Sequence, residues 1–263
     1  MDETQTMVRR FDGLQTIEDI MTPLEEVSSI EEGHCQETVL AKAREQRFDI
    51  VLHTEQGQVD AVVRTRTGIC EPLTNDWLVS RDTPISNLPS LFVASGKPAL
   101  LVLYGQRVTG LVSPADLNKL PARVYLYHLI GSLETALTRL VSWHIGSDDQ
   151  ALLGMLSPAR KKDIRKRMDD TRAGDADVSP VHMMGFRDLV TCITKSEGCR
   201  HALGYSSKRQ AQGELGGLVH LRNSTMHTTR PLIGRVPNDL CTLHNRMVRA
   251  EKLLERLGHA GQR

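Results

Sequence analysis

Short apolar runs broken by turn residues fill the first half of the chain, and apolar residues at helical spacing fill the second. Ile17 to Pro23 closes on a turn-like proline. Gln36 to Gln46 places Val39, Leu40 and Ala43 on one side of a predicted helix. Phe48 to Leu52 is a predicted strand, Gln56-Gly57-Gln58 a turn, and Val59 to Val63 a second strand. A shortened version follows. Trp77 to Leu88 resembles the lead-in of the first copy, Pro98 to Tyr104 is a strand, Gly105-Gln106-Arg107 a turn, and Val108 to Val112 the paired strand. Asp116 to Leu120 begins a helix. Two copies of a helix–strand–turn–strand unit make an internal repeat.

After Pro121 the strand pattern stops. Tyr125 to His144 carries Leu126, Leu129, Ile130, Leu133, Leu137, Leu140 and Val141 at helical spacing. Ser157 caps a helix with Pro158 at its first position, running through Met168. Residues 171–180 are a predicted loop and Gly185 to Thr194 a short helix. Ser206 or Ser207 caps a helix toward Thr228. Asn238 caps the last one, whose apolar face holds Leu240, Leu243, Met247, Leu253, Leu254 and Leu257. The expected class is α+β multidomain: a polar, flexible lead-in over 1–14, an α/β module over 15–123, and an all-α bundle over 124–263.

Charge sharpens this division. The net charge of +1 hides a balance of −6 over residues 1–124 and +7 over residues 125–263. Parts of opposite sign suggest different partners, with the basic half suited to an anion such as RNA, or else halves that attract each other. The five cysteines are odd in number and lack metal-ligand spacing, so they read as free thiols of a reducing compartment. No leading apolar segment suggests secretion, and no run approaches the length of a membrane span. A cytoplasmic protein with no membrane contact is expected. Walker loops, dinucleotide fingerprints, nucleophile elbows and His-Glu-x-x-His zinc sites are all missing from the sequence.

In the second copy, Gly105-Gln106-Arg107-Val108-Thr109-Gly110-Leu111-Val112-Ser113-Pro114-Ala115-Asp116-Leu117 ends a strand in Ser-x-x-Asp at a helix start. Set in the repeat, this resembles a pair of CBS domains. The resemblance implies a nucleotide-sensing module, with an adenine nucleotide as regulatory ligand. Asp116 would accept ribose hydroxyls, and Ser113 with the helix start would face phosphate. The first copy departs from the pattern: Arg64-Thr65-Arg66-Thr67-Gly68 has no such Asp. Ser-x-x-Asp is equally an ordinary helix cap.

The basic half offers Arg222-Asn223-Ser224-Thr225-Met226-His227. On a helix, Leu215, Val219, Arg222 and Met226 share one stripe, so a guanidinium interrupts an apolar row, costly unless it is paired or borders a wet interface. Arg222 and His227 project from adjacent faces, and two such helices meeting near a two-fold axis would focus both on one bond. The motif and its helical setting resemble the HEPN family. That resemblance implies a metal-independent endoribonuclease, acting as a homodimer and needing no catalytic cofactor. An RNA 2′-OH would attack the neighbouring phosphodiester, leaving a 2′,3′-cyclic phosphate and a free 5′-OH. His227 would move protons, Arg222 would hold phosphate oxygens, and Asn223 would orient His227 or bind a nucleotide. Lys161, Lys162, Arg165 and Lys166, on the helix from Pro158, would grip the RNA backbone or form a solvated charged face. Gly216-Gly217 would let helices approach closely. Glu134, the lone acid on the first helix, either pairs with Arg222 or sits at that helix's edge. The combined reading is a nucleotide-gated ribonuclease acting as a toxin or defence effector. The alternative is a dimeric nucleotide-sensing or RNA-holding scaffold without catalysis.

Overall fold

In the computed structural model of the chain, residues 15–31, 35–146, 148–172, 178–234, 236 and 238–260 are described. The expected lead-in over 1–14 lies outside them, as does the middle of the loop expected over 171–180. The described residues divide into two compact units, one formed by residues 15–125 with those of 231–244, the other by those of 126–230 with residues 245–260.

The first unit is α/β. Its strands are β1 (Thr22–Pro23), β2 (Ser29–Ile30), β3 (Ile50–Glu55), β4 (Gln58–Arg64), β5 (Cys70–Pro72), β6 (Leu78–Ser80), β7 (Leu100–Tyr104) and β8 (Arg107–Val112), with helices α1 (Gln36–Glu45) and α2 (Leu88–Ser95). They form two four-stranded sheets, ordered β2-β3-β4-β5 and β6-β7-β8-β1. The two orders have one plan: a parallel first pair, an antiparallel hairpin, then a short strand borrowed from the segment preceding the other copy. Both hairpins carry a register shift at the same place, His53/Thr54 in one and Val102/Leu103 in the other. Alternation sets the faces. Val51 and Val63 pack under Leu40 and Ala43 of α1. Ile50, Leu52 and Val62 face the other way and meet Ala99, Leu101 and the fully buried Trp77 in a core shared by the two sheets.

The second unit is helical among its described residues. It holds most of α3 (Leu120–Ile145), then α4 (Asp149–Gly154), α5 (Pro158–Arg172), α6 (Phe186–Lys195), α7 (Glu197–Ala202), α8 (Lys208–Met226) and most of α9 (Asn238–Ala260). The seven apolar positions expected on Tyr125–His144 are all buried. The helix starts earlier than its apolar pattern, at Leu120, because Pro121 lies in the first turn, where its missing N–H leaves no bond unmade. Helix α5 runs past the expected Met168 to Arg172. The cysteines are free. Burial pushes the Cys192 thiol up to about 12 and raises that of Cys199.

Candidate functional site

The turn after β8 is built by its own side chains. Ser113 starts the 3-10 turn Pro114–Asn118, and Asp116 folds back over it. The Ser113 backbone N–H and hydroxyl donate to Asp116 Oδ2 at 2.7 and 2.8 Å. Lys119 Nζ lies 2.8 Å from Asp116 Oδ1 and donates to the Ile20 carbonyl at 2.6 Å. The carboxylate is therefore buried, capped and ion-paired. One lone-pair direction on Oδ1 is left for a further donor. Gly110 explains how Ile20–Thr22 come so near this turn. A Cβ there would lie 2.6 Å from the Thr22 carbonyl and 2.9 Å from Met21 Sδ, so only glycine lets β1 close on β8.

The matched hairpin shifts align the copies by register. Ser113 then corresponds to Arg64, and Asp116 to Thr67. In the first copy, Arg64 makes a two-pronged ion pair with Glu71, at 2.6 and 3.3 Å, and its guanidinium lies 5.1 Å over the Trp77 ring. Lys97 Nζ lies 4.4 Å over the same ring and 3.0 Å from Asp76. The Arg64 hydrogen bond holds the Glu71 carboxyl below its ordinary range. Where the second copy offers an acid, the first offers a closed cluster of protein charges.

Asn118, at the end of the Ser113–Asp116 turn, is a residue sequence reasoning missed. Its side-chain carbonyl accepts from the backbone of Leu232 at 2.6 Å and Ile233 at 3.1 Å, and its amide donates to the Ile233 carbonyl at 3.0 Å. The backbone carbonyl of Asn118 accepts from the buried Arg123 guanidinium at 3.2 Å. A side chain pairing residues 114 positions apart leaves no local signal. Lys119 was more visible, three residues after Asp116.

In the helical unit, α8 ends at the expected motif. Its buried row is Ala211, Leu215, Leu218, Val219, Leu221 and Thr225. Met226, expected on the apolar stripe with Arg222, is 37% exposed, and Thr225 takes the inner place instead. The stripe drifts toward Leu218, Leu221 and Thr225, leaving Arg222 half-buried at its edge. The Arg222 Nε atom is buried and has no hydrogen-bond partner among the described residues. Glu134 makes no ion pair with it there. Asn223 ties to His227 through backbone: the His227 N–H donates to the Asn223 carbonyl at 3.2 Å. His227 is the exposed C-cap of the helix, and a turn follows in which the Arg230 N–H donates to the His227 carbonyl at 2.9 Å. Gly217 makes room for Arg246 and Arg249 of α9 in the same chain, and Arg249 pairs with Glu214 at 2.8 Å.

Helix α5 sorts the six cations between Arg160 and Arg167. Arg160 binds Asp188, the residue that caps α6, and also Asp163; Arg167 reaches Asp163 at 3.2 Å. The Asp188 hydrogen bond raises the Arg160 pKa, against the opposing pull of burial. Lys161, Lys162, Arg165 and Lys166 make no ion pair among the described residues and line one shallow concavity with Pro158 and Asp169. Among the described residues no group of His, Cys, Asp or Glu could hold a metal ion, and no helix is long and apolar enough to cross a membrane.

No protein-family model matches the chain, and no curated protein does. Its N-terminal part is similar to solved CBS structures. The CBS domains of a transcriptional regulator from Streptococcus pneumoniae align at 21% identity, covering 40% of this chain and 97% of that one, with a TM-score of 0.35. The CBS domain of a bacterial CNNM/CorC family Mg2+ transporter in complex with ATP aligns at 18% identity, covering 49% and 96%, with a TM-score of 0.35. A CBS-domain pair with bound AMP from Klebsiella pneumoniae aligns at 18% identity, covering 39% and 94%, with a TM-score of 0.32.

Proposed function

We propose that the chain is a metal-independent endoribonuclease of the HEPN type, gated by an adenine nucleotide on its CBS-type pair. The observation that carries the ribonuclease half is Arg222. A buried guanidinium nitrogen without a partner is costly, and a phosphate oxygen is the acceptor its fork geometry suits best. His227 stands five residues on, exposed at the helix end, where a substrate proton is reachable. The four cations of α5 that make no ion pair among the described residues supply an anion-binding face in the same unit.

In this reading an RNA 2′-hydroxyl attacks its own 3′-phosphate. His227 takes or returns the proton, Arg222 stabilises charge gathering on the non-bridging oxygens, and the 5′-oxygen leaves. Asn223 holds the backbone of His227. At the sensor, a ribose hydroxyl donates to the open lone pair of Asp116 Oδ1, beside Lys119. The cluster of Arg64, Glu71, Lys97 and Trp77 leaves the first copy without an equivalent acceptor, so one nucleotide binds per pair.

The test is cleavage of total RNA by purified protein in EDTA, with and without AMP or ATP. The expected result is cyclic-phosphate ends, lost on the order of a hundredfold or more in His227→Ala and in Arg222→Ala. RNA that binds but is never cut, under any nucleotide condition, would leave a non-catalytic scaffold.

A further inference from the structure

We propose that Asn118 is a positioning residue that carries nucleotide occupancy at Asp116 to the segment bearing His227; this rests on the sensor reading above. Three observations lead there. Asp116 and Asn118 belong to one five-residue turn, so a change in what Asp116 binds is felt at Asn118 within a single hydrogen-bonded loop. Asn118 ties its side-chain carbonyl and one amide N–H to the backbone of Leu232 and Ile233, accepting twice and donating once. Five residues before Leu232 stands His227, and the turn closed by the Arg230 N–H on the His227 carbonyl occupies most of the interval.

The pieces are tightly determined. Ile233 is buried, and the Asn118 backbone is held from α3 by Arg123. Lys119, next in sequence, bridges Asp116 and the Ile20 carbonyl. A ribose hydroxyl arriving at Asp116 Oδ1 shares that oxygen with Lys119. Lys119 is joined directly to Asn118 on one side and to the start of α3 on the other. The Asn118 amide thereby joins the ligand site to the post-motif segment through hydrogen bonds and chain connectivity alone. Such an element biases the placement of His227 and touches no RNA itself.

Amide hydrogen exchange tests this on the full chain, independently of any RNA cleavage. AMP, and separately ATP, is added to the protein, and binding is followed in parallel by calorimetry. The expected result is a change of about three- to tenfold in the protection of the Leu232 and Ile233 amides, the size of one net backbone hydrogen bond. Asn118→Ala should bind nucleotide within about twofold of wild type and lose the change, and Asn118→Asp, which keeps the acceptors but not the donor, should retain part of it. Nucleotide that binds while both amides keep their wild-type protection overturns the relay and leaves the sensor standing. Nucleotide that does not bind at all overturns both. Where Asn118→Ala fails to fold, the wild-type protection alone decides.

Discussion

Gly110 shows how one residue shapes the Ser113–Asp116 turn. Its missing Cβ admits the Thr22 carbonyl and Met21, and with them the Ile20 carbonyl that Lys119 binds. Gly110→Ala should cost about 1–3 kcal/mol, typical of overpacking, because the obstructing atom is backbone and cannot swing aside. The same substitution should weaken AMP binding, since β1 must shift away from the Asp116 turn. Urea unfolding and calorimetry on one preparation read both effects; a stable variant with unchanged affinity would show that β1 plays no part in the site. At this scale the sequence was readable where chemistry is local. The Ser113–Asp116 spacing announced a cap, and the structure has that cap in full. The same spacing carried no trace of Asn118, whose partners lie far along the chain.

At the scale of elements, α5 was legible as a basic helix, and the sorting of its cations was only half so. Asp163 stands three residues after Arg160 and four before Arg167, a pattern visible in sequence. The claim of Asp188 on Arg160 depends on how α6 is capped, which only the fold shows. Lys161 with Arg165, and Lys162 with Lys166, are like-charged pairs four apart, each disfavouring the helix by about 0.2–0.5 kcal/mol. Replacing Lys161 and Lys166 by Gln relieves both pairs. Thermal unfolding should show a slightly more stable protein. Binding to a labelled RNA oligonucleotide should weaken, and its log–log salt slope should fall by about 0.7 for each phosphate that is no longer neutralised. A gain in stability with an unchanged salt slope would reduce the patch to a solvated face. Short strands were the least readable elements. Two or three residues, as in β1, β2, β5 and β6, show no alternation, and they exist because a neighbouring strand offers unpaired backbone.

At the scale of the molecule, the repeat was legible because each copy repeats its hairpin and even its register shift. Discontinuity was not legible: residues 231–244, the segment after α8 together with the first turns of α9, follow a helical stretch in sequence and belong to the α/β unit in space. The homodimeric nuclease proposed above would use the same helix that carries the motif. Arg222 at the edge of the buried row and His227 at the exposed cap occupy different faces of α8. If a single bond is cut between them, two copies of α8 can supply the groups from opposite chains. Mixing decides this. Arg222→Ala keeps His227, and His227→Ala keeps Arg222, so each alone should be inactive. Co-refolded at equal amounts, half of the dimers are mixed and each mixed dimer restores one of two shared sites, giving about a quarter of wild-type activity from two-fold symmetry alone. Activity that stays at the level of the single variants, with mixed dimers verified by mass, would place both groups of each site on one chain.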